Sequence, residues 1–283
     1  MSINKNIIYY FSLIRFGNIC IAIFCVFMSY FFLESSDLIS CFKVVILILI
    51  SMSIGNISND IIDSKIDSIN HPNRVLPKKL ISIKRAYIYL FVNLFLLLLN
   101  SIFIPYLAII FLFSANLLLL LYNIYFKHFP LIGNIIISLL LSSVFIFSEL
   151  VIAGTTNKLF IPSFFAFIIS LIRELVKDLE DVEGDKSNGS RTLPILIGVK
   201  NSIIFLSFLI MTLNFSGVYF YFIYSLSIEY LLSIIILVEI PLVLSLFLLI
   251  NNPIKNTFTM VSKIIKCIIV GGILVLFLAN LGI

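Results

Sequence analysis

Asp60-Ile61-Ile62-Asp63-Ser64-Lys65-Ile66-Asp67 and Asp178-Leu179-Glu180-Asp181-Val182-Glu183-Gly184-Asp185 carry the same acidic pattern, D-x2-D-x3-D, at two places in one chain. A second shared element follows each: Arg74-Val75-Leu76-Pro77 after the first and Arg191-Thr192-Leu193-Pro194 after the second. The acidic triplets are offset by a constant 118 residues, Asp60 to Asp178, and the arginines by 117, Arg74 to Arg191. This is an internal duplication. Spacings of three and four put each triplet on one face of a helix or helical turn, so each copy projects its carboxylates in one direction. Carboxylates crowded in this way repel one another unless cations sit among them. A basic residue just downstream points to cations that arrive with an anionic ligand, and the ligand this combination fits is a Mg2+-diphosphate.

Composition places that chemistry in a membrane. With 61% hydrophobic residues, 12% charged and a mean hydropathy of +1.19, the chain lies outside the range of soluble globular domains. Apolar stretches near the spanning length of about 20 residues fall at 7–32, 38–58, 85–101, 104–122, 131–152, 160–176, 201–223, 228–250 and 261–281. The expected fold is all-α, a polytopic membrane protein of about nine transmembrane helices. The 283 residues are expected to form one domain, with motif-bearing halves at roughly 1–125 and 126–250 and a last helix at 261–281. The first span has no small-residue cleavage site after its apolar region and contains Arg15 and Asn18, so it reads as a retained helix.

Charge asymmetry sets the expected orientation. Alternate connections hold Lys65, Arg74, Lys78, Lys79, Lys84 and Arg85; then Lys127; then Lys177, Lys186, Arg191 and Lys200; then Lys255, Lys263 and Lys266. The opposite connections hold only Lys158 and, at the start of the second span, Lys43. The positive-inside rule then puts the N-terminus and both acidic motifs on the cytoplasmic side of the cell membrane. The pI of 8.9 reflects these loops and no nucleic-acid patch.

Of the 14 Asp and Glu residues, nine lie in the two clusters. Glu174, Asp178, Asp181 and Asp185 form an i, i+4, i+7, i+11 stripe, whereas Glu180 and Glu183 point elsewhere and are expected to face solvent. Asn59 precedes the first triplet, and its amide oxygen is a further candidate ligand. The candidate metal ligands are therefore Asn59, Asp60, Asp63, Asp67, Glu174, Asp178, Asp181 and Asp185. Cys20, Cys25, Cys41 and Cys267 are scattered without ligand spacing and read as reduced packing residues. A phosphate-binding Gly-rich loop, a Ser/His/Asp set and a nucleic-acid signature are all missing from the sequence.

Asn59 to Asp67, running on into His71-Pro72-Asn73-Arg74-Val75-Leu76-Pro77, resembles the first aspartate-rich motif of the UbiA superfamily of intramembrane prenyltransferases, and Asp178 to Asp185 resembles the second. Leu13-Ile14-Arg15-Phe16-Gly17-Asn18 is similar to the family's Arg-Pro-x-Asn, and Tyr122 with Lys127 to Asn134 (KHFPLIGN) matches ahead of the fifth helix. The resemblance runs from the first helix to about residue 198. It implies a nine-helix bundle around a central cavity, with Mg2+ bridging the aspartates to a prenyl diphosphate. Within the superfamily, Arg173-Glu174-Leu175-Val176-Lys177-Asp178 and the residues that follow are most similar to the branch that makes archaeal ether lipids. That branch joins geranylgeranyl diphosphate to an isoprenoid glycerol phosphate. Two departures stand out. The usual Arg-Pro-Leu-Pro-Ser-Gly becomes Arg74-Val75-Leu76-Pro77-Lys78-Lys79, and Phe16 stands where the first helix often has Pro.

Ionising an allylic diphosphate develops negative charge on the leaving group and positive charge on the prenyl carbon. Mg2+ held between the two triplets would neutralise the first, which gives Asp63, Asp67, Asp181 and Asp185 catalytic roles. Arg74, Arg191, Lys78, Lys127 and Lys177 are candidate phosphate-binding groups, Arg15, Asn18 and Asn59 candidates for orienting substrate. Tyr122 is the aromatic candidate for the cation. The expected partners are a prenyl diphosphate, a lipid acceptor and the bilayer, with no obligatory protein partner. The same fold and metal site would also serve prenylation of an aromatic quinone precursor or terpene cyclisation. An aspartate-coupled transporter fits less well, because coupling sites lie near the midplane and these aspartates fall at helix ends.

Overall fold

The computed structural model describes residues 3–187 and 189–281 and, among them, shows helices and connections without a strand. The helices are α1 Ile3–Leu13, α2 Phe16–Phe32, α3 Leu38–Ile62, α4 Ser64–Asn70, α5 Ile83–Ser101, α6 Tyr106–Ile124, α7 Ile132–Ile152, α8 Phe160–Ser187, α9 Leu193–Ile223, α10 Ile228–Ile234, α11 Ile240–Asn251 and α12 Lys255–Leu281. A turn of π-helix, Ile235–Glu239, joins α10 to α11. All nine apolar stretches expected to span fall on these helices. Seven are long and apolar enough to cross a membrane, counting α10 to α11 as one, and the bent pair α1–α2 makes an eighth. The remaining stretch, 160–176, is the apolar part of the 28-residue α8, whose far end carries the second acidic motif. The protein is a polytopic all-α membrane protein.

The chain divides into two compact units, one running to Lys127 and including Ser143–Leu159, the other formed by His128–Ser142 and the chain from Phe160 onward. In the first unit α3 is central and packs against α2, α5 and α6. Asp37 starts it as N-cap, accepting from the Ser40 amide at 3.0 Å. Val44, Leu47, Ile48 and Ile54 of α3 join Val26, Leu97, Ala108, Leu112 and Phe147 in one apolar cluster. Hydrophobic burial gives no preference between neighbouring helices and lipid, so polar ties and small residues fix which helix lies against which. Asn116 donates to Ser51 Oγ at 3.0 Å, and Asn123 donates to Ser58 Oγ at 2.9 Å and the Gly55 carbonyl at 3.1 Å, joining α6 to α3. A Cβ at Gly55 would stand 2.5 Å from Leu119 Cδ2, so a larger residue there would require the Leu119 side chain to turn aside.

The first expected span is broken rather than straight. Arg15 takes a left-handed conformation (φ 54°, ψ 51°) and α1 meets α2 at 63°. The break frees the Ile14 carbonyl, which accepts from Asn56 Nδ2 of α3 at 2.7 Å, so that oxygen is not stranded in the apolar layer. At the end of α7, fully buried Glu149 accepts from Thr155 Oγ1 at 2.6 Å and from the amides of Asn157, Lys158 and Leu159 at 2.8 to 2.9 Å, which holds the connection to α8.

In the second unit α8 packs against α9 and α12, and α12 also covers α10 and α11. Ile172, Leu175, Leu179, Leu206, Leu242, Val261 and Ile265 centre its core. The connection expected up to residue 200 is shorter than the sequence implied: α9 starts at Leu193 with Pro194 in its first turn, then kinks at Gly198 (φ 83°). The π turn precedes Pro241, whose missing N–H leaves the Leu237 carbonyl without its helical donor. Gly271 of α12 comes up against that oxygen, since a Cβ there would lie 3.1 Å from it. Glu180, expected to face solvent, instead accepts from Thr259 Oγ1 at 2.8 Å and ties α8 to α12; Glu183 is exposed.

Candidate active site

The first acidic set belongs to the first unit and crosses a helix break. Asp60 lies in the last turn of α3, Asp63 at the junction and Asp67 on α4. Helical hydrogen bonding continues through the junction: the Asp63 amide donates to Asn59 O and the Asp67 amide to Asp63 O, both at 2.8 Å. The spacing of three and four therefore still gathers the acids on one side.

Each of the three acids has a cation of the chain. Arg15 Nη2 donates to Asp60 Oδ1 at 2.6 Å, Arg74 Nη1 donates to Asp67 Oδ2 at 2.6 Å, and Lys127 Nζ pairs with Asp63 Oδ1. Asp60 and Asp67 are buried, each with 4% of its surface exposed. Burial pushes the Asp67 carboxyl above its ordinary value; Arg74 pulls it back, and the charges of Asp60 and Asp63 push it further up. With its amide turned to satisfy its neighbours, Asn59 donates to Asp63 Oδ2 and Asn123 Oδ1 and accepts from Arg15 Nη2, each at 3.3 Å.

The Arg-x-Leu-Pro element has a structural reason. Val75 and Leu76 are buried with Leu13, Ile14, Ile57 and Ala86, so the loop is pinned at the residues next to Arg74. The guanidinium is thereby held over the acids, while Lys78 and Lys79 remain exposed. Lys79, which replaces the family's Gly, sits at φ 54°. Asn18 is half-buried in the first turn of α2, and Tyr122 is half-buried on α6.

The second acidic set lies in the second unit on unbroken α8, so Glu174, Asp178, Asp181 and Asp185 share a helix face. Buried Glu174 accepts from Arg173 Nη1 at 3.0 Å and from Lys177 Nζ at 2.7 Å. Asp178 accepts from Asn134 Nδ2 at 2.8 Å, and Asp181 and Asp185 are half-buried beyond it. Arg173 keeps a buried Nε without an acceptor. Arg191, the counterpart of Arg74, is exposed. The duplication is regular in sequence but not in side-chain environment.

Sequence reasoning did not single out Asn123, Asn134 or Arg173 as site residues. Asn134 closes the KHFPLIGN stretch, which is the signal that could have found it. Among the described residues, no three His, Cys, Asp or Glu side chains converge into a metal-holding group. The donors nevertheless suit a hard divalent ion, being carboxylate and amide oxygens throughout.

An all-α membrane protein with two acidic helix ends, each set against arginine or lysine, is built to handle an anionic ligand at the edge of a bilayer. The sequence pattern of the UbiA prenyltransferase family matches residues 21–264. Digeranylgeranylglyceryl phosphate synthase of Methanosphaera stadtmanae is 35% identical over 234 residues, covering 82% of this chain and 83% of that one. A solved structure reported for digeranylgeranylglyceryl phosphate synthase shares 33% identity over 99% of this chain and 100% of its own, with a TM-score of 0.73. The fold also matches a UbiA homolog from Archaeoglobus fulgidus solved with DMAPP and Mg2+ bound, at 19% identity, a TM-score of 0.66 and coverage of 95% and 99%. The chain belongs to the UbiA prenyltransferase family and is a membrane prenyltransferase.

Proposed function

We propose that this protein transfers a geranylgeranyl group from geranylgeranyl diphosphate to the free hydroxyl of geranylgeranylglyceryl phosphate, in Mg2+-dependent ether-lipid synthesis at the cytoplasmic face of the cell membrane. The observation that carries this reading is the 33% identity to a solved digeranylgeranylglyceryl phosphate synthase over 99% of this chain. In the transfer, the bond between the prenyl carbon and the diphosphate oxygen breaks and the acceptor oxygen forms an ether bond to that carbon. The hydroxyl proton leaves from the resulting oxonium, which is acidic enough to need no strong base.

In the first set Asp60, Asp63, Asp67 and Asn59, and in the second Glu174, Asp178, Asp181 and Asp185, would hold Mg2+. The ion supplies charge neutralisation for the departing diphosphate. The chain's own residues do the rest. Arg15, Arg74 and Lys127, which lie beside the first acids, and Lys177, beside Glu174, would meet phosphate oxygens. Lys78 and Arg191 are exposed and free to approach from solvent-facing loops. Asn18, three residues after Arg15 in sequence, would orient the acceptor, and the Tyr122 ring would stabilise the developing cation. The prenyl chain is itself apolar, which explains why the enzyme is embedded in lipid.

The test is to incubate purified protein with geranylgeranyl diphosphate, Mg2+ and, in separate reactions, geranylgeranylglyceryl phosphate or a hydroxybenzoate, and to identify products by mass spectrometry. The expected product is the doubly prenylated glycerol phosphate. Prenylation of the aromatic acceptor alone, or diphosphate release with a cyclised hydrocarbon, would overturn the acceptor assignment.

A further inference from the structure

At the end of α3 remote from the acids, Lys43, Ile46, Asn100 and Phe103 line a cleft of about 180 Å³. Lys43 and Ile46 lie near the start of α3, Asn100 in the last turn of α5 and Phe103 in the link to α6, all within the first unit. Lys43 precedes Asp60 on the same helix, about 25 Å away at 1.5 Å per residue. That is close to the hydrocarbon thickness of about 30 Å, so the cleft faces the leaflet opposite the acidic end of α3.

The surface around it is apolar and open: Ile39 is 71% exposed, Ile102 70% and Phe103 60%. One cation stands in that surface. Lys43 makes no ion pair or hydrogen bond among the described residues. Asp37, whose carboxylate feels the Lys43 charge, is taken up by Ser40, whose hydroxyl and amide both donate to it. Asn100 gives Nδ2 to the Leu96 carbonyl at 2.8 Å, which fixes its amide at the rim.

An ammonium whose neighbouring carboxylate, Asp37, is already taken up by Ser40, set in a lipid-facing cleft at headgroup depth, calls for an anion that itself belongs to the bilayer. We propose that this cleft binds the phosphate headgroup of a membrane phospholipid, with Lys43 pairing the phosphate and Ile46 and Phe103 packing on the upper part of the chain. A lysine that merely extended its stem to reach water would need no cleft beneath it. The cleft lies at the opposite end of α3 from the first acidic set, so its occupancy bears on anchoring and stability rather than on prenyl transfer.

Native mass spectrometry of the detergent-purified protein, titrated with phosphatidylglycerol, tests the assignment. The parent should retain a bound phosphatidylglycerol and gain thermal stability from it. Lys43→Gln, which removes the charge, and Ile46→Trp, which fills the cleft and keeps the charge, should each lower the retained lipid severalfold and leave the prenyl-transfer rate in detergent unchanged. Equal retention by parent and both variants would overturn the proposal. So would equal retention of an uncharged diacylglycerol, which would show that the chain alone is bound, or a matching thermal gain from inorganic phosphate, which would make this an ion site and not a lipid site.

Discussion

Arg74 Nη1 lies 2.6 Å from Asp67 Oδ2 and 3.9 Å from Asp60 Oδ1, so one guanidinium serves two carboxylates of the first acidic set. With Arg15 on Asp60 and Lys127 on Asp63, the set carries its own counter-ions. This is the electrostatic solution expected for acids that must stay ionised while buried, because an unpaired buried carboxylate would neutralise instead. A ligand that brings divalent ions to the carboxylates and phosphate oxygens to the cations would exchange partners without creating bare charge.

The compensation at Asp67 is incomplete. Its carboxyl sits above the ordinary value, with burial as the main cause. A carboxyl raised in the folded state contributes stability below its unfolded pKa, about 3.9, and loses that contribution as pH rises through the folded value. At neutral pH the ionised group therefore weighs against the ligand-free fold. Asp67→Asn should leave the thermal midpoint of Mg2+-free protein at pH 7 unchanged or higher, the difference from parent shrinking as pH falls toward about 4. The same variant should lose prenyl transfer by orders of magnitude. A lower midpoint together with parental activity would reverse both assignments.

Asp63→Ala and Asp181→Ala probe the two acidic sets separately. Each should lower turnover by orders of magnitude while the yield of folded protein in detergent stays close to parental. Asp63 sits at a junction whose backbone bonds do not involve its side chain, and Asp181 projects from a continuous helix, so neither truncation removes apolar packing. Near-parental turnover in either variant would sink the ligand-holding role of that set.

The membrane class and the positions of the apolar helices were legible because hydropathy over about 20 residues reports directly on the surrounding solvent. The shared acid face was legible because i, i+3 and i+4 spacing survives even the α3–α4 break. What was not legible depends on contacts between distant segments. The left-handed Arg15 has no local signature; it is set by the Asn56 bond to Ile14 O and the pull of Asp60, 42 and 45 residues away. The Asn134 bond to Asp178 likewise spans 44 residues. Regular spacing also concealed an asymmetry, since Arg74 is pinned by buried Val75 and Leu76 whereas Arg191 is exposed.

Lys79 adopts φ 54°, a region that a side chain disfavours, where the motif it resembles ends in Gly. It is exposed, so the strain is not offset by packing of the side chain. Lys79→Gly should stabilise the protein by about 1 kcal/mol, less the extra freedom Gly gains when unfolded. Thermal unfolding in detergent checks this, and a fall in midpoint would show that Lys79 makes a contact worth more than its strain.

The approach of α12 to the π turn makes a sharper prediction. A Cβ at Gly271 would meet the Leu237 carbonyl oxygen at 3.1 Å and Leu237 Cβ at 3.2 Å, whereas at neighbouring Gly272 the nearest contact, Val238 Cγ2, is an ordinary 3.8 Å. Backbone cannot move aside as a flexible side chain can. Gly271→Val should cost about 2 kcal/mol or more, and Gly272→Ala should be nearly neutral. Equal midpoints for the two variants would mean that the helices part easily at the π turn.

Glu149 offers the clearest test of a buried charge outside the acidic motifs. Its carboxylate takes four donors, three of them on Oε1 and one on Oε2, and three are backbone amides of the connection leading into α8. Glutamine keeps the shape but has a single acceptor oxygen and presents an NH2 to whatever donors face the other position. Glu149→Gln therefore strands at least one buried donor, at about 1–3 kcal/mol, and should release the 153–159 connection before the core melts. Hydrogen exchange at the amides of Asn157, Lys158 and Leu159 reads this directly. Faster exchange there, with the helices of either unit unchanged, is the expected outcome; protection equal to the parent would mean that the connection is held by its apolar contacts and that the carboxylate is incidental.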